Sequence, residues 1–177
     1  MLLGNLKQLT AGECETLATE APWEAPVESL SLKNGRFTKL ANLTRIRGLT
    51  QLTLVGCRRL VAFEGDNSNV EWLAMSSCKE VDMSSLASLS GLKSLAVSGG
   101  RLSLADLARL PALEEAVLDR CTVDLSGEFP GRLDRLRKLG LEGATAKDVE
   151  NLSRRVPQAI ISFQEGEYRD GAKLAEG

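Results

Sequence analysis

Apolar residues recur along the chain in a short frame that begins anew every 21 to 23 residues, at positions 27, 49, 70, 92, 113 and 136. The clearest copy runs from Leu49 to Cys57 and has the form LxxLxLxxC. In Leu52-Thr53-Leu54 the apolar fourth and sixth residues alternate with a polar one, and this period of two is typical of a half-buried strand. The pattern predicts six short strands that become stable by stacking on one another.

Between the predicted strands the apolar spacing changes from two to three. From Met83 to Leu92 every third residue is apolar, which favours short 3₁₀ or α-helical turns. Ser103 and Asp106 have the spacing of a capping box, and Pro111 ends the helix that follows. A similar helix start occurs at 145–148. The segment 62–69 lacks this spacing, and we expect an irregular loop there.

The repeated frame resembles the leucine-rich-repeat family, in its class of 21- to 22-residue repeats, over roughly residues 6 to 163. The resemblance implies an α/β solenoid with a curved parallel sheet on its concave face and short helices or turns on its convex face. A generic α/β domain would need units of about thirty residues or more, so the short period disfavours it.

We expect a single domain over the whole chain, 1–177. Residues 1–26 are predicted to form an N-terminal cap, and whether they include a degenerate repeat beginning at Leu6 stays open. Residues 27–155 hold six central repeats. Residues 156–177 are expected to hold a degenerate last repeat, which begins at Val156, and a flexible tail.

The four cysteines share one place in the repeat, its ninth position, where the remaining copies have small residues. The cysteines are Cys14, Cys57, Cys78 and Cys121, and the small residues are Gly35, Gly100 and Ala144. Five repeats separate the outermost cysteines, roughly 24 Å at the interstrand spacing, so one tetrahedral metal ion cannot bind all four. On distance alone, a disulfide is feasible for Cys57 and Cys78 in adjacent repeats. We expect reduced, buried thiols instead.

The composition argues against several classes of function. The chain has no histidine, which removes Ser-His and Cys-His catalysis and most zinc sites. It also lacks a phosphate-binding loop and a dinucleotide fingerprint, so we expect neither an enzyme nor a bound cofactor or metal. A net charge of −2 provides no general attraction for nucleic acid or anionic membranes. The basic stretch of Arg132, Arg135, Arg137 and Lys138 is interpreted as a solvated face.

No apolar run is long enough to span a membrane, and the first residues do not have the features of a signal peptide. We therefore expect a cytoplasmic protein.

Strand alternation predicts which side chains face away from the core. Residues at the third and fifth positions of each repeat should line the concave sheet, with the seventh and eighth beside them. At its centre this surface has small residues such as Ala74, next to Val55 and one large aromatic residue, Trp72. A tryptophan among small residues is typical of an interface anchor. The alternative is that Trp72 packs over Gln51 and Ser94 for stability alone.

The charged residues of this predicted surface make its C-terminal half mainly acidic. The acids chosen as candidate contacts are Glu71, Glu115, Asp119 and Glu142, with Lys138 placed among them. A basic patch on a partner would complement such a strip.

We therefore predict a non-catalytic module that binds one protein partner on its concave sheet. Its repeat fold and short length resemble those of some bacterial immunity proteins, which neutralise a cognate toxin; this analogy rests on fold and size. A regulatory adaptor or scaffold is the alternative within the same class. An enzyme built on paired acids such as Glu115, or a nucleic-acid binder using the basic stretch, is less favoured.

Overall fold

The computed structural model describes residues 27–124, 133–143, 146–163 and 166–174. The predictions for the cap and for Cys14 lie outside these residues, as does Ala144. The strands of the described part are β1 (Ser29–Lys33), β2 (Lys39–Ala41), β3 (Gln51–Val55), β4 (Ala62–Glu64), β5 (Trp72–Ser76), β6 (Ser94–Ser103), β7 (Glu115–Asp124), β8 (Lys138–Leu141), β9 (Ile160–Phe163), β10 (Gly166–Arg169) and β11 (Ala172–Lys173).

One nine-stranded sheet has the order β1-β3-β5-β6-β7-β8-β9-β10-β11, and its pairs from β1 to β9 are parallel. Equal positions of successive repeats face one another, as Leu52 does with Leu73 and Leu73 does with Leu95. The chain thus completes one coil per repeat and returns to the same register. The predicted leucine-rich-repeat solenoid is confirmed, and so is the register of its six central strands.

The core lies on one side of this sheet, where the first, fourth and sixth residues of the six central repeats are buried. In the fourth position these residues are Leu30, Leu52, Leu73, Leu95, Ala116 and Leu139. Each of these residues pairs in register with the equivalent residue of the next described coil. Because a single strand of five residues cannot bury its own leucines, stacking of coils provides the apolar burial that stabilises the fold.

A second layer covers the other side of the core. It contains α1 (Leu104–Leu107), α2 (Ala146–Arg155) and two 3₁₀ helices, Leu43–Arg45 and Met83–Ser88. The turns predicted from the three-residue apolar spacing are thereby confirmed. In α1 the predicted capping box is present: Asp106 N donates to Ser103 Oγ at 3.2 Å, and Ser103 N donates to Asp106 Oδ2 at 2.8 Å.

The loop predicted for 62–69 is wrong in part, because Ala62–Glu64 forms β4 and pairs with β2 in a separate two-stranded parallel sheet. Phe63 is buried and anchors this strand in the core. Beyond β4, the side chain of Asn67 is fully buried. It accepts a hydrogen bond from Leu43 N at 2.9 Å and donates to Glu64 O and Ser88 Oγ, each at 3.0 Å. This amide therefore links three consecutive coils.

The eighth residue of each central repeat has a left-handed backbone. The φ values are 54° at Asn34, 66° at Gly56, 58° at Ser77, 76° at Gly99, 50° at Arg120 and 91° at Gly143. Left-handed backbone is most readily adopted by glycine and asparagine. The chain thus turns away from the sheet at the same point in every coil, which keeps the following turns on one flank of the solenoid.

The last coil departs from two predictions. Leu139 pairs with Ile161, which places Ile161 at the fourth position, so the frame begins at residue 158 and the start predicted at Val156 is two residues early. The tail is not uniformly flexible, because β10 and β11 extend the sheet as antiparallel strands. Tyr168 of β10 is buried and provides apolar contact with the core. The mainly polar composition of the segment does not indicate this contact.

The cysteine side chains reach back toward the preceding coil. Cys57 and Cys78 are buried and Cys121 is half-buried, and all three are free thiols. The Sγ atoms of Cys57 and Cys78 lie 3.6 and 3.8 Å from the carbonyl oxygens of Leu32 and Leu54. Hydrogen bonding with the Cys78 side chain lowers the pKa of Cys57 to about 7. The same contact, together with burial, raises the pKa of Cys78.

Candidate functional site

The sheet presents three rows of side chains on the face opposite the core, which we call the open face. Because the strands are parallel and in register, each row runs across the strands along the solenoid. The third-position row contains Ser29, Gln51, Trp72, Ser94, Glu115 and Lys138. The fifth-position row contains Ser31, Thr53, Ala74, Ala96, Val117 and Gly140. The seventh-position row contains Lys33, Val55, Ser76, Ser98, Asp119 and Glu142.

A shallow apolar groove, the central groove, crosses the open face from β3 to β7. Ala74 and Ala96 are half-buried in its floor, because their small side chains leave space between the neighbouring rows. Val55 and Val117 border the groove and are 37% and 55% exposed. Val55 and Ala74 belong to the residues predicted from the sequence. Val117 was missed as a site residue, although its fifth-position place in the repeat marks it as facing outward.

Trp72 lies in the third-position row, with Gln51 and Ser94 as its partners on the neighbouring strands. It is 36% exposed, so about two thirds of its surface is covered and the remainder meets solvent. An aromatic side chain in this state supplies a large apolar contact at little entropic cost when a partner binds. The role of Trp72 as an interface anchor stays a proposal.

Two of the predicted acidic contacts are engaged in ion pairs with lysines of the next coil. Glu71 lies 2.9 Å from Lys93 Nζ, and Glu115 lies 3.5 Å from Lys138 Nζ. All four side chains are about half exposed or more, so each pair contributes at most about 1 kcal/mol. Their negative charge is nevertheless compensated locally. The sequence did not single out Lys93, whose place before the third position of its repeat puts it beside Glu71.

The other two predicted acids come together at the seventh-position row. Asp119 accepts a hydrogen bond from Ser98 Oγ at 2.8 Å and is paired with Arg120, whose Nη2 lies 2.9 Å from Oδ2. Hydrogen bonds from Arg120, and further contacts to Glu142 and Ser98, lower the pKa of Asp119 to about 2. The neighbouring Asp119 carboxylate raises the pKa of Glu142. The two carboxylates have one guanidinium, that of Arg120, to balance them. The group therefore retains a negative charge beside the central groove.

Within the described residues, no group of three or more His, Cys, Asp or Glu side chains is arranged to hold a metal ion. In the same residues, no helix is long and apolar enough to cross a membrane. The open face offers apolar contact, hydroxyl groups and charges, which are the means of noncovalent recognition.

Comparisons with known proteins add the following. No family model matches the chain, and no curated protein matches it. Among solved structures, the crystal structure of an internalin C2 from Listeria monocytogenes str. 4b F2365 is similar in fold. It has 18% sequence identity and a TM-score of 0.42, and the match covers 78% of this chain and 71% of that chain. The assignment of the fold rests on the strand order and register of the protein itself.

Proposed function

We propose that this protein is a non-catalytic module that binds one partner protein on the open face of its sheet. The observation that carries the proposal is the exposure of Val55, Val117 and Trp72 around the central groove. Apolar side chains grouped on one face and bordered by polar rows are characteristic of protein interaction sites. The small residues Ala74 and Ala96 allow a partner side chain to approach the backbone of the sheet.

The surroundings of the groove define the chemistry of the partner. An apolar segment would cover Val55, Val117 and the two alanines. A basic side chain of the partner would lie against Asp119 and Glu142, whose two negative charges exceed the single positive charge of Arg120. The ion pairs of Glu71 and Glu115 make these two acids weaker contacts for a basic group, which shifts the electrostatic part of the proposed site toward the seventh-position row.

In its specific form, the proposal is a bacterial immunity protein acting in the cytoplasm on a toxin domain with a basic patch. A regulatory adaptor or scaffold would use the same surface. The repeat fold and the negative carboxylate pair support the first form by analogy. The identity of the partner separates the two, because a toxin loses activity when it binds an immunity protein.

The experiment compares two variants that carry the same substitution on opposite layers. Val117→Glu places a charge at the border of the groove, whereas Val61→Glu places one at a valine that is 47% exposed next to β4, away from the open face. A partner captured from the native host is purified, and its affinity for each protein is measured. We expect at least tenfold weaker binding by Val117→Glu and unchanged binding by Val61→Glu. Equal affinity of both variants would refute the open face as the binding site.

A further inference from the structure

A second surface lies on the flank where the chain leaves the sheet. After the ninth position, each coil has one or two exposed residues before the next buried apolar residue, which is Phe37, Leu60, Val81 and Leu102 in successive coils. These residues are Arg36 in the first coil, Arg58 and Arg59 in the second, Lys79 and Glu80 in the third, and Arg101, which lies in β6, in the fourth. They constitute what we call the basic flank.

The basic flank concentrates positive charge in a chain whose net charge is −2. It contains five cations and one carboxylate, Glu80. Successive coils stack at about 4.8 Å, so cations in neighbouring turns repel one another unless an anion lies between them. The repeat itself creates the row, because the shared left-handed turn at the eighth position sends each coil past the same flank.

Ion pairs compensate two lysines on or beside the open face, whereas three cations of the basic flank have no such partner among the described residues. Lys93 and Lys138 are paired with carboxylates of adjacent coils. Within the described residues, Arg58, Arg59 and Lys79 have no ion pair and no side-chain hydrogen bond. These three exposed groups, from two adjacent coils, form the centre of the row.

The row ends at its C-terminal side. Arg101 borders a hollow that it shares with three carboxylates, Asp82, Asp106 and Asp124. The negative charges of these carboxylates offset the positive charge of Arg101. In the following coil, Thr122 occupies the place of the basic turn residues. The part of the flank without ion pairs to described residues therefore covers two coils, whose strands are about 5 Å apart.

We propose that the basic flank binds a short acidic segment of a partner protein, which is a surface distinct from the open face. An extended chain places side chains of one face about 7 Å apart, so two Asp or Glu side chains match the two coils of Arg58, Arg59 and Lys79. The long arginine and lysine side chains adjust to this spacing, and guanidinium groups bind carboxylates with two parallel hydrogen bonds.

A nucleic acid fits this surface less well. Single-stranded binding sites combine cations with aromatic side chains on which bases stack. The aromatic residue of these turns, Phe37, is fully buried in the core. Glu80 also lies within the row, where it would repel a phosphate backbone but can be avoided by a short segment with separated carboxylates.

The test uses a fluorescein-labelled 12-residue peptide of alternating Glu and Ser, with fluorescence anisotropy as the readout. The variant Arg58→Glu/Lys79→Glu reverses the centre of the row. The control Arg135→Glu/Arg137→Glu makes the same change in net charge at two exposed residues preceding β8. We expect the first variant to weaken binding at least tenfold and the control to change it less than threefold. The Kd of the wild-type protein should rise steeply with salt.

Three outcomes would overturn the proposal. The first is equal weakening of peptide binding in both variants, which would indicate an effect of net charge alone. The second is that the wild-type protein does not bind the peptide at low salt. The third is that it binds a 12-residue single-stranded oligonucleotide, or vesicles containing phosphatidylserine, more tightly than the peptide. Thermal melts verify that each variant is folded, and Arg58→Gln/Lys79→Gln replaces the first variant if it is not. Val117→Glu should bind the peptide as the parent does, so failure of this proposal and failure of the open-face proposal are distinguishable.

Discussion

Replacement of Leu73 by alanine tests the register on which the whole architecture depends. Leu73 is 0% exposed in β5, between Leu52 and Leu95 of the adjacent coils. Removing three carbon atoms forfeits roughly 2.4 kcal/mol of apolar transfer free energy, at about 0.8 kcal/mol for each. A cavity term is added, because the neighbouring strands are held by ladder hydrogen bonds and cannot collapse onto the space. We expect a total loss in the free energy of unfolding of about 3–5 kcal/mol.

The measurement is urea unfolding followed by circular dichroism, together with a thermal melt. For a chain of this size each kilocalorie shifts Tm by about 2–4 °C, so Leu73→Ala should lower Tm by roughly 6–20 °C. Ser94→Ala is the control, because Ser94 lies one strand away on the open face and its replacement should change stability by about 0.5 kcal/mol or less. A Leu73→Ala protein that melts within a degree or two of the parent would show that Leu73 does not face the core.

Three further predictions concern polar and thiol groups. Asn67→Ala should lower the free energy of unfolding by about 1–3 kcal/mol, since it leaves Leu43 N without its acceptor and removes the hydrogen bonds to Glu64 and Ser88; unchanged urea unfolding would contradict this. In native protein a thiol reagent should modify Cys121 before the two buried cysteines, as peptide mapping by mass spectrometry would reveal, and the reverse order would contradict their burial. Because Asp119 raises the pKa of Glu142 in the folded state, that pair costs stability as pH rises through the folded pKa of Glu142. Glu142→Gln should therefore stabilise the protein more at about pH 7 than at about pH 4, and equal shifts in Tm at both values would refute the repulsion.

Much of the candidate site was predictable because the repeat determines which way each side chain faces. Trp72, Val55 and Ala74 were assigned to the open face from their positions, and the pairing of β3 with β5 places them there. Whether an acid on that face is available to a partner was not predictable. Glu71 and Lys93 are neighbours because two coils stack, and the frame of one repeat contains no information about such an ion pair.

The sequence by itself determined the period, the six central strands, their register and the aliphatic core, because all of these follow from apolar spacing within a single repeat. Tertiary structure decided the features that depend on contact between coils. Burial of Phe63 accompanies the formation of β4 in a stretch without helical spacing, and two of the three hydrogen-bond partners of Asn67 lie in the coils before and after its own. Tyr168 anchored a polar tail segment as an extension of the sheet. The sequence around each of these residues does not indicate its partner. The contacts stabilise the fold only when stacking of the coils removes both partners from water.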